Sequence, residues 1–218
     1  MGAVVIAFAV LTQGGGDAGG DLVAPDRPVP ADAVVDGATM GVADAPATLE
    51  IWSDFQCPAC GVFATDTEPL IRETFVGDGT LRIVHHDAAF QGRKSPSSYD
   101  ESVQASAGAH CAGEQGAFWS FHDWLFANQS GENEGAFARD RLETMAGRVG
   151  LEVDRWNACM DRGDVQGQVV ADTDAAAADG IRLTPTLAVN GQRYEGTMSY
   201  EQLATLIRDA AVTGSSVP

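Results

Sequence analysis

Hydrophobic and polar positions follow two different periods in the first half of the chain. Residues 48–52 are a short apolar stretch rich in β-formers, which predicts a buried strand. Over 58–75 the apolar residues recur every three to four positions, which predicts an amphipathic helix, and Pro69 is expected to kink it. Glycines in 77–79 end that pattern, and 80–84 predict a second strand. The order strand, helix, strand is that of a βαβ unit.

The middle of the chain has a different texture. It is rich in alanine, with apolar residues at helical spacing, and predicts an inserted all-helical subdomain over about 93–162. Another helix is predicted over 164–179.

The last third predicts a hairpin followed by a helix. Asn190-Gly191 separates two short β-forming runs and favours a two-residue turn of type I′. Ser199 and Gln202 have the spacing of a capping box at the start of a final helix. The complete order of elements predicts an α/β fold with a central mixed sheet between helices.

The run Cys57-Pro58-Ala59-Cys60 lies between the first predicted strand and the first predicted helix. A cysteine at a helix N-terminus faces backbone N–H groups and the positive end of the helix dipole, which favour its thiolate. Cys57 is therefore the expected nucleophile. Cys60, one turn later, is expected to resolve mixed disulfides by attacking Cys57.

Two other uses of the cysteines remain open. An all-thiolate zinc site would need four cysteines, but Cys111 and Cys159 stand alone, outside any second C-x-x-C pair. A purely structural disulfide inside the C-x-x-C run would close a ring too small to gain much loop-closure entropy. His85 and His86 are adjacent in a predicted strand and face opposite sides, so we expect no metal or other cofactor there.

Charge and the N-terminus suggest where the protein works. The formal net charge is −18, from 31 acidic and 13 basic residues, which argues against nucleic acid as a partner. Residues 1–12 hold an apolar run too short for the roughly 20 residues that span a bilayer, and we interpret them as the remnant of a signal or anchor. Residues 13–39 predict a flexible tether and 213–218 a tail. With an even cysteine count, these features favour an exported protein, tethered to the cytoplasmic membrane or secreted.

The order of elements, with C-x-x-C at the first helix and Thr184-Pro185 before the hairpin, resembles the thioredoxin fold. The helical insertion narrows this resemblance to the DsbA-like family of thiol-disulfide oxidoreductases. It covers about 40–212, and its strongest pieces are the segments 52–60, 111–119 and 184–186.

The resemblance implies an active site on both sides of the cysteine pair. Pro185 would be cis and lie against the sulfurs, and Thr184 would offer its backbone to an extended substrate. Pro58 and Ala59 would also face the substrate. Ala59 replaces the histidine of the best-known oxidant in the family, which removes one partner of the Cys57 thiolate and leaves the direction of electron flow open.

The resemblance also assigns a carboxylate and a second disulfide. Glu50 lies seven residues before Cys57, where the family often carries an acid beneath the resolving cysteine; we expect it to accept the Cys60 proton, directly or through water. The alternative is a solvated edge residue. Asp54 is interpreted as a turn residue.

Similar proteins from actinobacteria carry an additional bond, which here would join Cys111 to Cys159. It would close a long loop and stabilise the fold by roughly 4 kcal/mol in the chain-entropy model. The functional alternative is a second dithiol that relays electrons to Cys57.

These observations predict an enzyme that introduces disulfides into exported proteins through Cys57 and Cys60. Its partners would be cysteine-containing exported polypeptides and a quinone-linked membrane protein that reoxidises it, the latter by family resemblance. Two alternatives are a disulfide reductase or isomerase with the same site, and a non-catalytic peptide-binding or chaperone-like domain.

Overall fold

A computed structural model of the protein describes residues 21–29, 33–94 and 99–214. Its centre is a six-stranded sheet of order β1-β2-β4-β3-β5-β6. β3 and β4 run parallel, and every other neighbouring pair is antiparallel, which confirms the predicted mixed sheet. The strands are β1 (Val35–Asp36), β2 (Thr39–Met40), β3 (Ala47–Ser53), β4 (Leu81–Asp87), β5 (Thr186–Val189) and β6 (Gln192–Glu195).

Helices cover both faces of this sheet. The first follows β3 and is continuous from α1 (Pro58–Val62) through a π-helical turn, α2 (Glu68–Ile71) and a second π-helical turn that ends at Val76. Pro69 lies in the first turn of α2, directly after the first π-helical turn. The irregularity predicted at this proline is therefore a π-helical turn, which is wider than an α-helical turn. The other helices are α3 (Glu101–Gly113), α4 (Phe118–Ala127), α5 (Arg139–Val149), α6 (Val153–Arg162), α7 (Asp164–Ala178) and α8 (Tyr200–Gly214).

Local signals in the last third are confirmed. Asn190 and Gly191 both have positive φ, 45° and 83°, as a type I′ turn requires. The Ser199 N–H donates to the Gln202 side chain at 3.1 Å, and the Gln202 N–H donates to Ser199 Oγ at 3.4 Å. Helix α8 therefore begins where the capping box predicts.

The predicted tether needs a correction at its C-terminal end. Residues 35–40 form the β1–β2 hairpin at one edge of the sheet, and Met40 is fully buried in the core. Strands of two residues are too short to produce an alternating pattern, so composition alone misassigned them. Residues 21–29 also contact the body, since the amide of Asn128 bonds the backbone of Val23 in both directions at 2.8 Å. The predicted signal or anchor, 1–12, lies outside the described residues, as does most of the predicted tail.

The two faces of β3 serve two packing layers. Leu49 and Ile51 join the main core beneath the first helix and the insertion. Trp52 points the other way and packs with Ala176 of α7 and Ala188 of β5. Because side chains alternate along a strand, each residue of β3 is assigned to one layer by its position.

A buried ion network joins the first helix to the insertion. Arg72 lies between Glu68, at 2.6 Å, and Asp123 of α4, at 2.8 Å, and its guanidinium sits over Trp119. All three charged side chains are buried. Carboxylates on both sides raise the pKa of Arg72 against the effect of its burial, and the Arg72 charge holds the pKa of Asp123 low although burial acts the other way. The network fixes α4 against the helix that carries the cysteines.

Within the residues that the structure describes, none of the helices combines the length and the apolar character needed to cross a bilayer.

Candidate active site

The cysteine pair sits where the first helix begins. β3 ends at Ser53, and a turn closed by a hydrogen bond from the Cys57 N–H to the Asp54 carbonyl, 3.0 Å, leads into α1. Cys57 is the N-cap of α1, and Pro58 occupies its first turn, where a missing N–H costs nothing. Both cysteines are free thiols in this structure.

Cys57 has the surroundings of a thiolate. Its pKa is lowered to about 5 by hydrogen bonding from the Cys60 thiol, then by the Thr184 side chain and by the N–H groups of Cys60 and Ala59, while burial opposes the shift. These N–H groups belong to the first turn of α1, so the helix N-terminus stabilises the charge as expected. Cys57 is 5% exposed and its neighbours Pro58 and Ala59 are exposed, so the sulfur lies at the bottom of an open rim.

Cys60 is the opposite kind of thiol. It is 1% exposed, and its pKa is raised, first by burial and then by the nearby Cys57 sulfur. The Asp54 N–H and the Ser53 side chain act in the other direction, towards a lower pKa, and do not outweigh these effects. At neutral pH the pair therefore holds one ionised sulfur near the surface and one protonated sulfur behind it, which is the division between attacking and resolving thiol.

The segment before β5 completes the site. The Thr184–Pro185 peptide is cis, and the Cys57 sulfur lies 3.3 Å from the Thr184 carbonyl oxygen. The structure thus brings Cys57, Cys60, Thr184 and Pro185 together from two distant parts of the sequence, with Pro58 and Ala59 on the rim.

Glu50 is not part of this assembly. Its carboxylate lies 3.1 Å from His86 Nε2, and its side chain is 32% exposed. Glu50 lies between Leu49 and Ile51 in β3, and these two residues pack in the same buried cluster as the cysteines. Because side chains alternate along a strand, Glu50 faces the other side of the sheet. The expected role for Glu50 at the resolving cysteine is wrong for this reason.

The acid beside the cysteines is Asp54, which is completely buried. Its pKa is raised to about 6, mainly by burial, although three hydrogen bonds act in the other direction. The interpretation of Asp54 as only a turn residue was therefore incomplete. The sequence does contain a signal that Asp54 belongs to the site: this residue directly follows a buried strand and lies three residues before an N-cap cysteine.

The helical insertion holds the active-site turn by its backbone. The Gln129 amide donates to the carbonyls of Phe55, at 2.6 Å, and Cys57, at 3.0 Å. The Gln129 side chain also lies very close to α1, since a Cβ added at Gly61 would come within 2.5 Å of Gln129 Oε1. No sequence pattern signals this contact, because the two partners are 72 residues apart for the Cys57 bond.

The other two cysteines form a disulfide, Cys111–Cys159, with a Cα–Cα distance of 5.7 Å. This confirms the pairing that the resemblance implied and excludes a zinc site made of all four cysteines. Among the described residues, no three His, Cys, Asp or Glu side chains are grouped to hold a metal ion.

Comparisons with known proteins identify the family of this chain. Residues 33–209 match the family model described as thioredoxin. Disulfide bond formation protein D of Bacillus subtilis is 26% identical over 170 residues, 77% of this chain and 74% of that protein. The Na(+)/H(+) antiporter NhaA 3 of Salinispora tropica is 31% identical over 170 residues, 78% of this chain but 24% of that protein, so the chain spans about a quarter of the antiporter's length.

Solved structures show the same fold. Oxidised BdbD from Bacillus subtilis superimposes with a TM-score of 0.71 at 22% identity, covering 88% of this chain and 100% of that chain. Reduced DsbA from Mycobacterium tuberculosis gives a TM-score of 0.65 at 25% identity, covering 83% of this chain and 100% of that chain.

The fold and the paired cysteines at the start of α1 are those of a thioredoxin-like protein. The chain belongs to the thioredoxin family, since the family model matches most of its length.

The asymmetry of the two thiols predicts a pH titration. Alkylation of reduced protein at limiting iodoacetamide should follow one ionisation with a pKa of about 5, that of Cys57, and Cys60 should not react over the same range. Because the folded pKa lies below that of an unfolded thiol, about 8.5, the thiolate stabilises the reduced fold fully above that pH and loses this effect as the pH falls through 5. A reactive thiol that titrates near 8.5 would contradict the assignment.

Proposed function

We propose that the protein oxidises pairs of cysteine thiols in exported polypeptides and so introduces disulfides into them. The observation that carries the proposal is the contrast between Cys57, whose thiolate is stabilised at the helix N-terminus, and Cys60, which is buried and protonated. A stabilised thiolate exists only in the reduced enzyme. It therefore makes the disulfide a stronger oxidant, by about 30 mV for each pKa unit.

The reaction starts from the Cys57–Cys60 disulfide. A substrate thiolate attacks Cys57 Sγ, a substrate–Cys57 bond forms, and the Cys57–Cys60 bond breaks with Cys60 leaving and taking up a proton. A second substrate thiolate then attacks the substrate sulfur of the mixed disulfide, and Cys57 leaves as thiolate. The substrate has lost two electrons, and the enzyme has gained two electrons and one proton.

Thr184 supports the choice of an extended polypeptide as substrate. Its carbonyl lies 3.3 Å from the Cys57 sulfur, two residues before β5 begins, so a strand added beside it would bring a cysteine over Cys57. On the other side of the Cys57 sulfur, the exposed residues Pro58 and Ala59 would also contact the bound polypeptide. Both are small and uncharged, which suits a site that accepts many sequences.

The proposal includes a compartment and a second partner. The apolar start of the chain and an even cysteine count favour work outside the cytoplasmic membrane, where disulfides persist. Turnover then needs an electron acceptor, and we propose a quinone-linked membrane protein that reoxidises the Cys57/Cys60 dithiol.

The reduction potential of the Cys57/Cys60 couple tests the direction. We expect a value between about −180 and −120 mV, with rapid oxidation of a reduced two-cysteine peptide and little reduction of insulin. A potential near −270 mV would instead identify a reductase, and efficient refolding of scrambled ribonuclease an isomerase.

Cys57→Ser separates catalysis from simple peptide binding. It should abolish oxidation of the peptide while leaving the fold intact, because the hydroxyl keeps the N-cap position. The non-catalytic alternative predicts a different result. Wild type and variant would then bind peptides or suppress aggregation equally well, and neither would oxidise the peptide appreciably.

A further inference from the structure

We propose that residues 21–29, named the strap, hold the Gln129 side chain on the active-site turn by way of Asn128, so that Asn128 is a positioning residue for Cys57. The proposal rests on thiol chemistry at Cys57 but not on the direction of exchange. It gives a role in the site to a segment whose composition predicted only a flexible tether.

The strap is docked on α4 at both of its ends. Near its start, the Val23 N–H donates to Asn128 Oδ1 and Asn128 Nδ2 donates to the Val23 carbonyl, both at 2.8 Å. At its other end, the Val29 N–H donates to Asp123 Oδ2 at 3.1 Å. Between these two contacts the strap borders a cavity of about 380 Å³ over α4 and the first helix. Two contacts several residues apart restrict an extended segment far more than one contact does.

The Asn128 side chain binds backbone groups on two sides. It is 7% exposed, and besides its two bonds to Val23 it donates to the Trp124 carbonyl of α4 at 2.8 Å. These three bonds use both N–H groups of the amide and one lone pair of its oxygen. Two of the three bonds go to the strap. The strap therefore fixes the side chain of the residue at which α4 ends.

Gln129 comes next in the chain and binds the active-site turn. Its amide nitrogen donates to the carbonyls of Phe55, at 2.6 Å, and Cys57, at 3.0 Å. The Cys57 carbonyl also accepts from the Gly61 N–H at 3.0 Å, which is the first hydrogen bond of α1. Gln129 thus restrains the peptide group from which α1 starts.

The backbone alone holds Asn128 and Gln129 only loosely. The Asn128 N–H donates to the Leu125 carbonyl at 3.1 Å, and the Gln129 N–H reaches the Phe126 carbonyl at 3.4 Å, which is long for such a bond. Residues at the end of a helix fray when side chains do not hold them. Because the two residues are covalently joined, a shift of Asn128 away from the strap moves Gln129 as well.

A second contact limits the size of this effect. Further along the same loop, the Asn133 N–H donates to Gln56 Oε1 at 2.5 Å, so the loop keeps one attachment to the active-site turn when the strap leaves. Release of the strap should therefore loosen the turn without detaching it. We expect changes of a fewfold in the chemistry of Cys57, and not its loss.

The Cys57 thiolate depends on the orientation of the turn that Gln129 restrains. The N–H groups of Ala59 and Cys60 help to lower the pKa of Cys57. Hydrogen bonds weaken steeply as the donor turns away from its acceptor, so these N–H groups act fully only while the start of α1 is held still. A looser turn should give a higher pKa of Cys57 and less thiolate at a given pH.

The test uses two substitutions at Val23, whose side chain is 59% exposed. Val23→Pro removes the N–H that donates to Asn128, whereas Val23→Ala keeps it. The pKa of Cys57 is measured in reduced, full-length protein from the pH dependence of alkylation by iodoacetamide. Val23→Pro should raise this pKa and leave about two- to fivefold less thiolate at a given pH below it. Val23→Ala should titrate like wild type. A strap with a purely structural role would lower the free energy of unfolding without moving this titration.

A second background shows whether the strap acts through Gln129. Gln129→Ala should itself raise the pKa of Cys57, and Val23→Pro added to it should cause no further shift, because the link is already broken. A folded Val23→Pro protein with the titration of wild type overturns the proposal, and so does an undiminished extra shift in the Gln129→Ala background.

Should Val23→Pro fail to fold, Asn128→Ala takes its place in both backgrounds with the same expected results. These titrations and the reduction potential fail independently. A potential typical of a reductase would contradict the proposed oxidase function and leave the role of the strap intact, because alkylation of the reduced protein does not depend on the direction of exchange.

Discussion

Cys60→Ala should turn the protein into a trap for mixed disulfides. When reduced variant meets oxidised glutathione, the Cys57 thiolate attacks one glutathione sulfur, a Cys57–glutathione disulfide forms and glutathione thiolate leaves. In the wild type, Cys60 then attacks Cys57 Sγ and expels the second glutathione. Without Cys60 this step is missing, and the adduct should persist.

The expected effect is large because the resolving attack is intramolecular. A thiol held beside its target acts at an effective concentration far above that of any free thiol in the assay. We expect the adduct on Cys60→Ala to live at least about a thousandfold longer than on wild type, as followed by mass spectrometry after acid quenching. Cys57→Ser serves as the matched control and should form no adduct. An adduct on Cys60 in that control would mean that the buried thiol is accessible, and the assignment of roles would be reversed.

Much of the fold followed from local patterns. The strand before the cysteines, the I′ turn at Asn190 and the capping box at Ser199 were all predicted, because each depends on residues within a few positions of one another. The β1–β2 hairpin was missed because two-residue strands leave no periodicity. The hairpin is held in place because Met40 packs into the core formed by the rest of the chain.

In the site, too, residues with a local sequence signal were predicted and residues that depend on long-range contacts were missed. Cys57 and Cys60 were predicted because a C-x-x-C run between a strand and a helix carries its own context. Glu50 was wrong because counting residues back from Cys57 ignored which face of β3 each position occupies. Ser102 of α3 and Gln129, just after α4, were missed because they are far away in sequence, 48 and 74 positions from their partners Asp54 and Phe55.

The insertion is therefore part of the active site's support and must itself be rigid. Trp156 of α6 donates from its indole N–H to the Gly108 carbonyl of α3 at 2.9 Å. The Cys111–Cys159 disulfide joins the same two helices, and both sulfurs are buried. α3 carries Ser102, so a bond between α3 and α6 stabilises the helix that holds Asp54.

Replacing both Cys111 and Cys159 by alanine should lower the free energy of unfolding by about 4 kcal/mol, since the bond closes a loop with a sequence separation of 48. For a chain of this size the melting temperature should fall by about 8–16 °C. Unfolding is best measured in a Cys57→Ser/Cys60→Ser background, where the active pair cannot respond to reductant. Reductant should then destabilise the background protein and leave the protein that also lacks Cys111 and Cys159 unchanged.

The same substitution decides between a structural bond and an electron relay. In otherwise wild-type protein, loss of Cys111 and Cys159 should leave the rate of peptide oxidation within about twofold at a temperature where the variant is folded, because Cys57 and Cys60 keep all of their own contacts. A relay would require the opposite result, a large loss of turnover with little loss of stability.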